Sequence, residues 1–220
     1  MRYKNRSQKH NLVVQKTATY YSLGNIKIAK TIWLVFHGYG YLAKNFIEKF
    51  RPILTKNTLV VAPEALSKFY VKGVDGSIGA SWMTKENREE EIADYINYLN
   101  QLYDAILKQV TAPNPKINIV GFSQGGATAC RWLANGKIKC NNFILWASVF
   151  PTDMDLGIIN KANTFFLYGD RDKYVTKERV EQQKELLKQS HLKVKTTVFK
   201  GGHDIPKEVL VEQTKLNGWN

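Results

Sequence analysis

Residues 117–129 read INIVGFSQGGATA: a short apolar run, a serine set among glycines, then small side chains. The run Ile117–Phe122 has the length and apolar character of a buried strand. The small residues Gly126, Ala127 and Ala129 suit a helix packed closely on that strand. Gly121 and Gly125 make a sharp turn tolerable, and such a turn presents its serine at the strand end beside a helix N-terminus. The same residues also suit an ordinary tight turn whose serine merely caps the helix. Ser123 alone does not decide between a cap and a reactive hydroxyl. A serine is a weak nucleophile unless a base takes its proton and a third group orients that base.

Outward from this stretch, short β-rich runs alternate with helical patterns. That alternation predicts an α/β fold with a mainly parallel sheet flanked by helices on both faces. TIWLVFHG (31–38), NTLVVAPEA (57–65), INIVGF (117–122), NNFILWAS (141–148), NTFFLYGD (163–170) and KVKTTVFKG (193–201) read as strands. Residues 11–30 read as two further strands forming an antiparallel N-terminal edge. Helical spacing of Ile92, Tyr95, Ile96, Leu99, Leu102, Tyr103, Ile106 and Leu107 predicts a long helix between Thr84 and Val110. Glu86, Glu89, Glu90 and Glu91 suit the positive end of its dipole. A helix follows Gly125, another spans about 177–190 with Thr176 as N-cap, and a last one starts near Pro206. No repeat or linker divides the chain, so residues 1–220 are expected to form one α/β domain.

In doubly wound hydrolytic folds the order along the chain is nucleophile, acid, base. Of the four histidines, His10 and His37 precede Ser123. His191 ends a lysine-rich helical run, where an exposed imidazole near a helix C-terminus is the simple explanation. His203, in GGHDIP, lies between the last strand and the last helix and is the expected base. The acid is expected after a strand between Ser123 and His203, at the sheet edge where sites form. Asp170 directly follows Gly169 and suits a turn, whereas Asp172 reaches further and is the expected acid. An oxyanion requires donors: the amide after the nucleophile, Gln124, and one from the loop after an early strand, HGYG, where Tyr39 is the candidate. His37 is assigned a structural hydrogen-bonding role in that loop.

Composition narrows the alternatives. The chain has 220 residues, is 44 % hydrophobic and has no window long enough for a membrane-spanning helix. The N-terminus lacks a secretory signal pattern, so a cytoplasmic location is expected. The two cysteines, Cys130 and Cys140, sit in no metal-ligand pattern and are too few for a disulfide scaffold. Neither a metal nor a cofactor is expected. The formal charge of +13 admits a preference for anionic partners. The basic residues are mostly scattered, with the densest group at Arg2, Lys4, Arg6 and Lys9, so a solvated basic surface is the simpler reading and no nucleic-acid partner is expected. Oligomeric state is not legible.

The segments HGYG, GFSQGG, YGDRDKYV and GGHDIP together resemble the phospholipase/carboxylesterase family of α/β-hydrolases, from about Thr31 to Pro206. The resemblance implies a cofactor-independent serine hydrolase acting on carboxylic esters or thioesters. It places the nucleophile on Ser123, the acid on Asp172, the base on His203 and the oxyanion donors on Tyr39 and Gln124. The chain departs from such relatives at Ser81-Trp82-Met83-Thr84, where they commonly carry Trp-aromatic-Asp, and at Thr176, where many carry proline. Residues 64–83 are expected to form a loop over the pocket, with Trp82, Phe69 and, less strongly, Phe150 as lining candidates or as ordinary core. A lactonase of the dienelactone type, a peptidase and a non-catalytic binding protein are the competing readings.

Overall fold

The computed structural model describes residues 7–135, 138–159 and 162–220. Arg2, Lys4 and Arg6, three of the N-terminal basic group, lie outside the described residues; Lys9 pairs with Glu90 at 3.4 Å. The strands are β1 (Tyr20–Leu23), β2 (Thr31–Phe36), β3 (Thr58–Pro63), β4 (Ser67–Tyr70), β5 (Ile78–Ser81), β6 (Lys116–Phe122), β7 (Asn142–Trp146), β8 (Asn163–Gly169) and β9 (Val194–Phe199). Seven of them form one sheet in the order β1-β3-β2-β6-β7-β8-β9, parallel throughout except for β1. The order runs outward in both directions from the neighbours β2 and β6, so the loops after these two strands meet at the carboxyl edge of the sheet.

Burial explains the composition of the central strands. β2, β3 and β7 are buried at every position, as a sheet covered on both faces requires. Along β2, Ile32, Leu34 and Phe36 face one apolar layer, while Trp33 and Val35 face the other. The first layer packs α2 (Arg88–Leu107), α3 (Gln124–Asn135) and α4 (Lys177–Ser190) through Tyr95, Leu99, Trp132 and Val180. The second packs α1 (Ala43–Phe46), the 3₁₀ segment Ile47–Ile53 and α5 (Lys207–Leu216) through Phe46, Phe50 and Leu210. Glu89, Glu90 and Glu91 occupy the first turn of α2. Thr176 caps α4, accepting from the Arg179 amide, and His191 ends that helix exposed and left-handed at φ 54°.

Two expectations are corrected. Residues 11–30 supply one strand, not two: β1 pairs antiparallel with β3 from Tyr20↔Pro63 to Leu23↔Val60. Gly24, at φ +101°, then turns the chain away with its α-carbon against the Thr58 carbonyl. Residues 64–83 are not a plain loop but hold the antiparallel β4–β5 hairpin, paired from Ser67↔Ser81 to Tyr70↔Ile78.

Candidate active site

Ser123 sits between β6 and α3 with φ at +52°, a left-handed conformation that a non-glycine residue adopts at a cost of roughly 1–2 kcal/mol. Its neighbours show why the turn closes. A Cβ on Gly125 would lie 2.3 Å from the Phe36 carbonyl oxygen, and one on Gly121 2.5 Å from the Gly126 α-carbon. At Gly126 it would lie 2.2 Å from the Ser148 hydroxyl, so α3 rests directly on the residues that follow β7. The Ser123 amide donates to the Trp146 carbonyl at 3.1 Å, and the Ser148 hydroxyl donates to the Ser123 carbonyl at 2.7 Å. Sequence reasoning missed Ser148, because a serine after a strand carries no motif.

His203 comes from the loop between β9 and α5. Its Nε2 lies 2.9 Å from Ser123 Oγ, and its Nδ1 lies 2.9 Å from Asp172 Oδ2 and 3.1 Å from Oδ1. The Asp172 side chain is completely buried, and its Oδ1 also accepts from the Tyr174 and Val175 amides at 2.8 and 3.1 Å. The carboxylate is therefore fixed from two sides. It holds the proton of a neutral imidazole on Nδ1, which leaves Nε2 as an acceptor towards the serine hydroxyl. The imidazole packs between Phe122 (4.9 Å between centroids) and Tyr174 (4.6 Å). Its loop is tied down by Asp204, whose carboxylate pairs with Lys49 at 2.6 Å and whose carbonyl accepts from Trp146 Nε1 at 3.0 Å. Asp170 ties the end of β8 to the loop after β9: its Oδ1 accepts from the Gly201 amide at 2.9 Å, a contact across 31 residues and not within its own turn.

The loop after β2 lies against the serine. A Cβ on Gly38 would be 3.1 Å from Ser123 Cβ. The Tyr39 and Gln124 amides have no acceptor among the described residues, and Gln124 opens α3, where amides point out of the helix end. His37 is completely buried: its Nε2 accepts from the Ala65 amide at 3.1 Å, so Nδ1 carries the proton and donates to the Gly38 carbonyl at 2.8 Å. Burial pushes its pKa below the usual value. It is a neutral structural strut, as expected from the sequence.

The three pocket candidates separate. Trp82 is 2 % exposed, packs on Phe36, His37 and Tyr95, and donates from Nε1 to the His37 carbonyl. Phe150 is equally buried, against Phe143 and Phe166. Both take the core alternative. Phe69 remains half-buried and stacks on Tyr39 at 5.0 Å. Burial raises the Cys130 thiol and pushes Cys140 up to about 12, so neither is a thiolate near neutral pH. The side chain of Gln124, for which sequence reasoning assigns only a backbone role, anchors residues 81–83.

A parallel sheet with an antiparallel edge, helices on both faces and a strained serine at the carboxyl edge of a central strand define an α/β-hydrolase. The chain belongs to the phospholipase/carboxylesterase family, whose model matches residues 25–215. Among similar solved structures, the acyl-protein thioesterase 2 of Zea mays superposes with a TM-score of 0.71 at 15 % identity, covering 92 % of this chain and 98 % of that one. A Bacillus cereus carboxylesterase gives 0.69 at 15 % identity, with 92 % and 95 % covered. The esterase PE8 gives 0.65 at 21 % identity, with 92 % and 99 % covered. No curated protein matches by sequence. Among the described residues, no helix is long and apolar enough to cross a membrane.

Proposed function

We propose that the protein hydrolyses carboxylic esters, thioesters included, through an acyl-enzyme on Ser123. The observation that carries this reading is the unbroken chain from Ser123 Oγ through His203 to the buried Asp172, with both contacts to the imidazole at 2.9 Å. Ser123 Oγ attacks the acyl carbon while His203 Nε2 takes its proton. The imidazolium is stabilised by the Asp172 carboxylate. The carbonyl oxygen, now an anion, accepts from the Tyr39 and Gln124 amides at the positive end of α3. Collapse of the tetrahedral adduct breaks the bond to the alcohol or thiol, which leaves with the proton from His203. Water then attacks the acyl-serine, giving its proton to His203, and a second collapse releases the acid and returns the proton to Ser123 Oγ. Every proton transfer passes through one imidazole.

Phe69 and Tyr39 are proposed as an aromatic wall for the substrate, since their stacked rings border the loop beside Ser123. The test is turnover of a p-nitrophenyl ester of a short acid. The wild type is expected to turn it over, and Ser123→Ala to lose several orders of magnitude while retaining the same unfolding midpoint. Normal turnover by folded Ser123→Ala would sink the proposal.

A further inference from the structure

The two proposed oxyanion donors come from loops far apart in the chain, and one short segment touches both. On one side, the Gly40 amide donates to the Ala80 carbonyl at 2.9 Å and the Ala80 amide to the Tyr41 carbonyl at 3.2 Å. The contact is close enough that a Cβ on Gly79 would lie 2.6 Å from the Gly40 carbonyl oxygen. Trp82 Nε1 donates to the His37 carbonyl at 2.9 Å, so residues 79–82 grip the loop both before and after Tyr39. On the other side, the Trp82 amide donates to Gln124 Oε1 at 3.1 Å, while Gln124 Nε2 donates to the Met83 carbonyl at 2.8 Å and the Ser81 hydroxyl at 3.1 Å. The Ser81 hydroxyl passes its own proton to the Met83 carbonyl at 2.9 Å.

From this circuit we infer that β5 and residues 82–83 form a strut that sets the distance between the Tyr39 and Gln124 amides, with the Gln124 side chain as the positioning residue. The inference rests on the proposed ester hydrolysis and identifies what holds its oxyanion site in shape. The chemistry explains the residue type. Only a side-chain amide of this length presents an acceptor to the Trp82 amide and donors to the Met83 carbonyl at once. Glutamate keeps the first contact and sets an oxygen against the Met83 carbonyl oxygen, turning attraction into repulsion. Asparagine is one methylene too short. The Ser123 turn is strained, so a loosened Gln124 allows that turn to relax and its amide to swing off the oxyanion.

The experiment compares the wild type, Gln124→Glu and Ser81→Ala on one p-nitrophenyl ester, with binding of a trifluoromethyl ketone, which forms a tetrahedral oxyanion on the serine. Misplacing a donor by about 1 Å costs on the order of 100-fold. Gln124→Glu is expected to lower kcat by roughly 10- to 100-fold with KM within about twofold, and to weaken the ketone by the same factor as kcat/KM. Ser81→Ala is expected to do the same by roughly two- to tenfold, the effect of one net hydrogen bond. Should Gln124→Glu fail to fold, the Ser81→Ala result decides. A rise in KM with kcat unchanged, or ketone affinity that stays at the wild-type value, overturns the inference. Absence of turnover by the wild type, or full turnover by Ser123→Ala, overturns the hydrolytic reading and the inference with it.

Discussion

Replacing Asp172 by asparagine tests the proton logic of the site without altering its shape. Asp172 Oδ1 already accepts from the Tyr174 and Val175 amides. In Asp172→Asn those two amides select the carbonyl oxygen for that position, which places the NH₂ group where Oδ2 faces His203 Nδ1 at 2.9 Å. A donor there forces Nδ1 to accept, so the imidazole proton moves to Nε2. Nε2 faces Ser123 Oγ at 2.9 Å and then donates to the hydroxyl instead of receiving its proton. The negative charge that would stabilise the imidazolium is lost as well. Together these are expected to lower kcat by roughly 10⁴, or about 5 kcal/mol in barrier height. The assay is p-nitrophenyl ester hydrolysis at neutral pH, with near-native circular dichroism to show that the fold survives. A folded Asp172→Asn enzyme within tenfold of the wild type would refute the assignment of the tautomer and of the acid.

Three further outcomes follow from packing and burial. Gly125→Ala forces its methyl to 2.3 Å from the Phe36 carbonyl oxygen and 2.6 Å from that of His37. Backbone cannot move aside as a side chain does, so destabilisation of about 3 kcal/mol or more is expected in urea unfolding, with loss of activity. Trp219 is completely buried against Trp33 and Phe165, and its carbonyl accepts from Asn118 Nδ2 at 2.6 Å. Trp219→Ala is expected to cost roughly 3–5 kcal/mol, read as a lowered urea midpoint, although the side chain makes no contact with the triad. Burial holds the His37 pKa below its ordinary 6.5, so between that value and its lowered one the unfolded chain binds a proton that the folded chain does not. Stability contributed by neutral His37 is thus complete above about pH 6.5 and is lost as the pH falls below it; His37→Gln is expected to flatten this limb when urea midpoints are compared at pH 7.5 and 5.

How far the sequence reveals the site depends on whether a residue's job leaves a local pattern. Ser123, Asp172 and His203 were legible because strand ends, glycines and chain order constrain them, and the structure brings those three together. The central strands were legible because burial on both faces leaves continuous apolar runs. The β4–β5 hairpin was not, since both strands are only four residues long, β4 is half-exposed, and glycines at 73, 76 and 79 interrupt the run. Residues 11–19 carry β-type side chains but form no strand: β1 reaches the end of β3 at Tyr20↔Pro63, and the Thr19 carbonyl accepts from the Glu64 amide just past it, where the ladder stops. Trp82 suits a pocket wall and the core alike in sequence, and Phe150 is a weaker candidate for the wall; their neighbours place both in the core. Gln124 and Ser148 act through contacts with residues 41–43 and 25 positions away, which no local pattern encodes.

The proposed mechanism requires Ser123 to carry the acyl group. Rapid acid quenching during turnover of a slowly deacylating ester, followed by peptide mass spectrometry, reads this directly. One acyl group is expected on the peptide containing Ser123, formed in a burst of about one equivalent and absent from His203→Ala on the same timescale. Turnover with an unmodified Ser123, or acylation at another residue that survives Ser123→Ala, would contradict it.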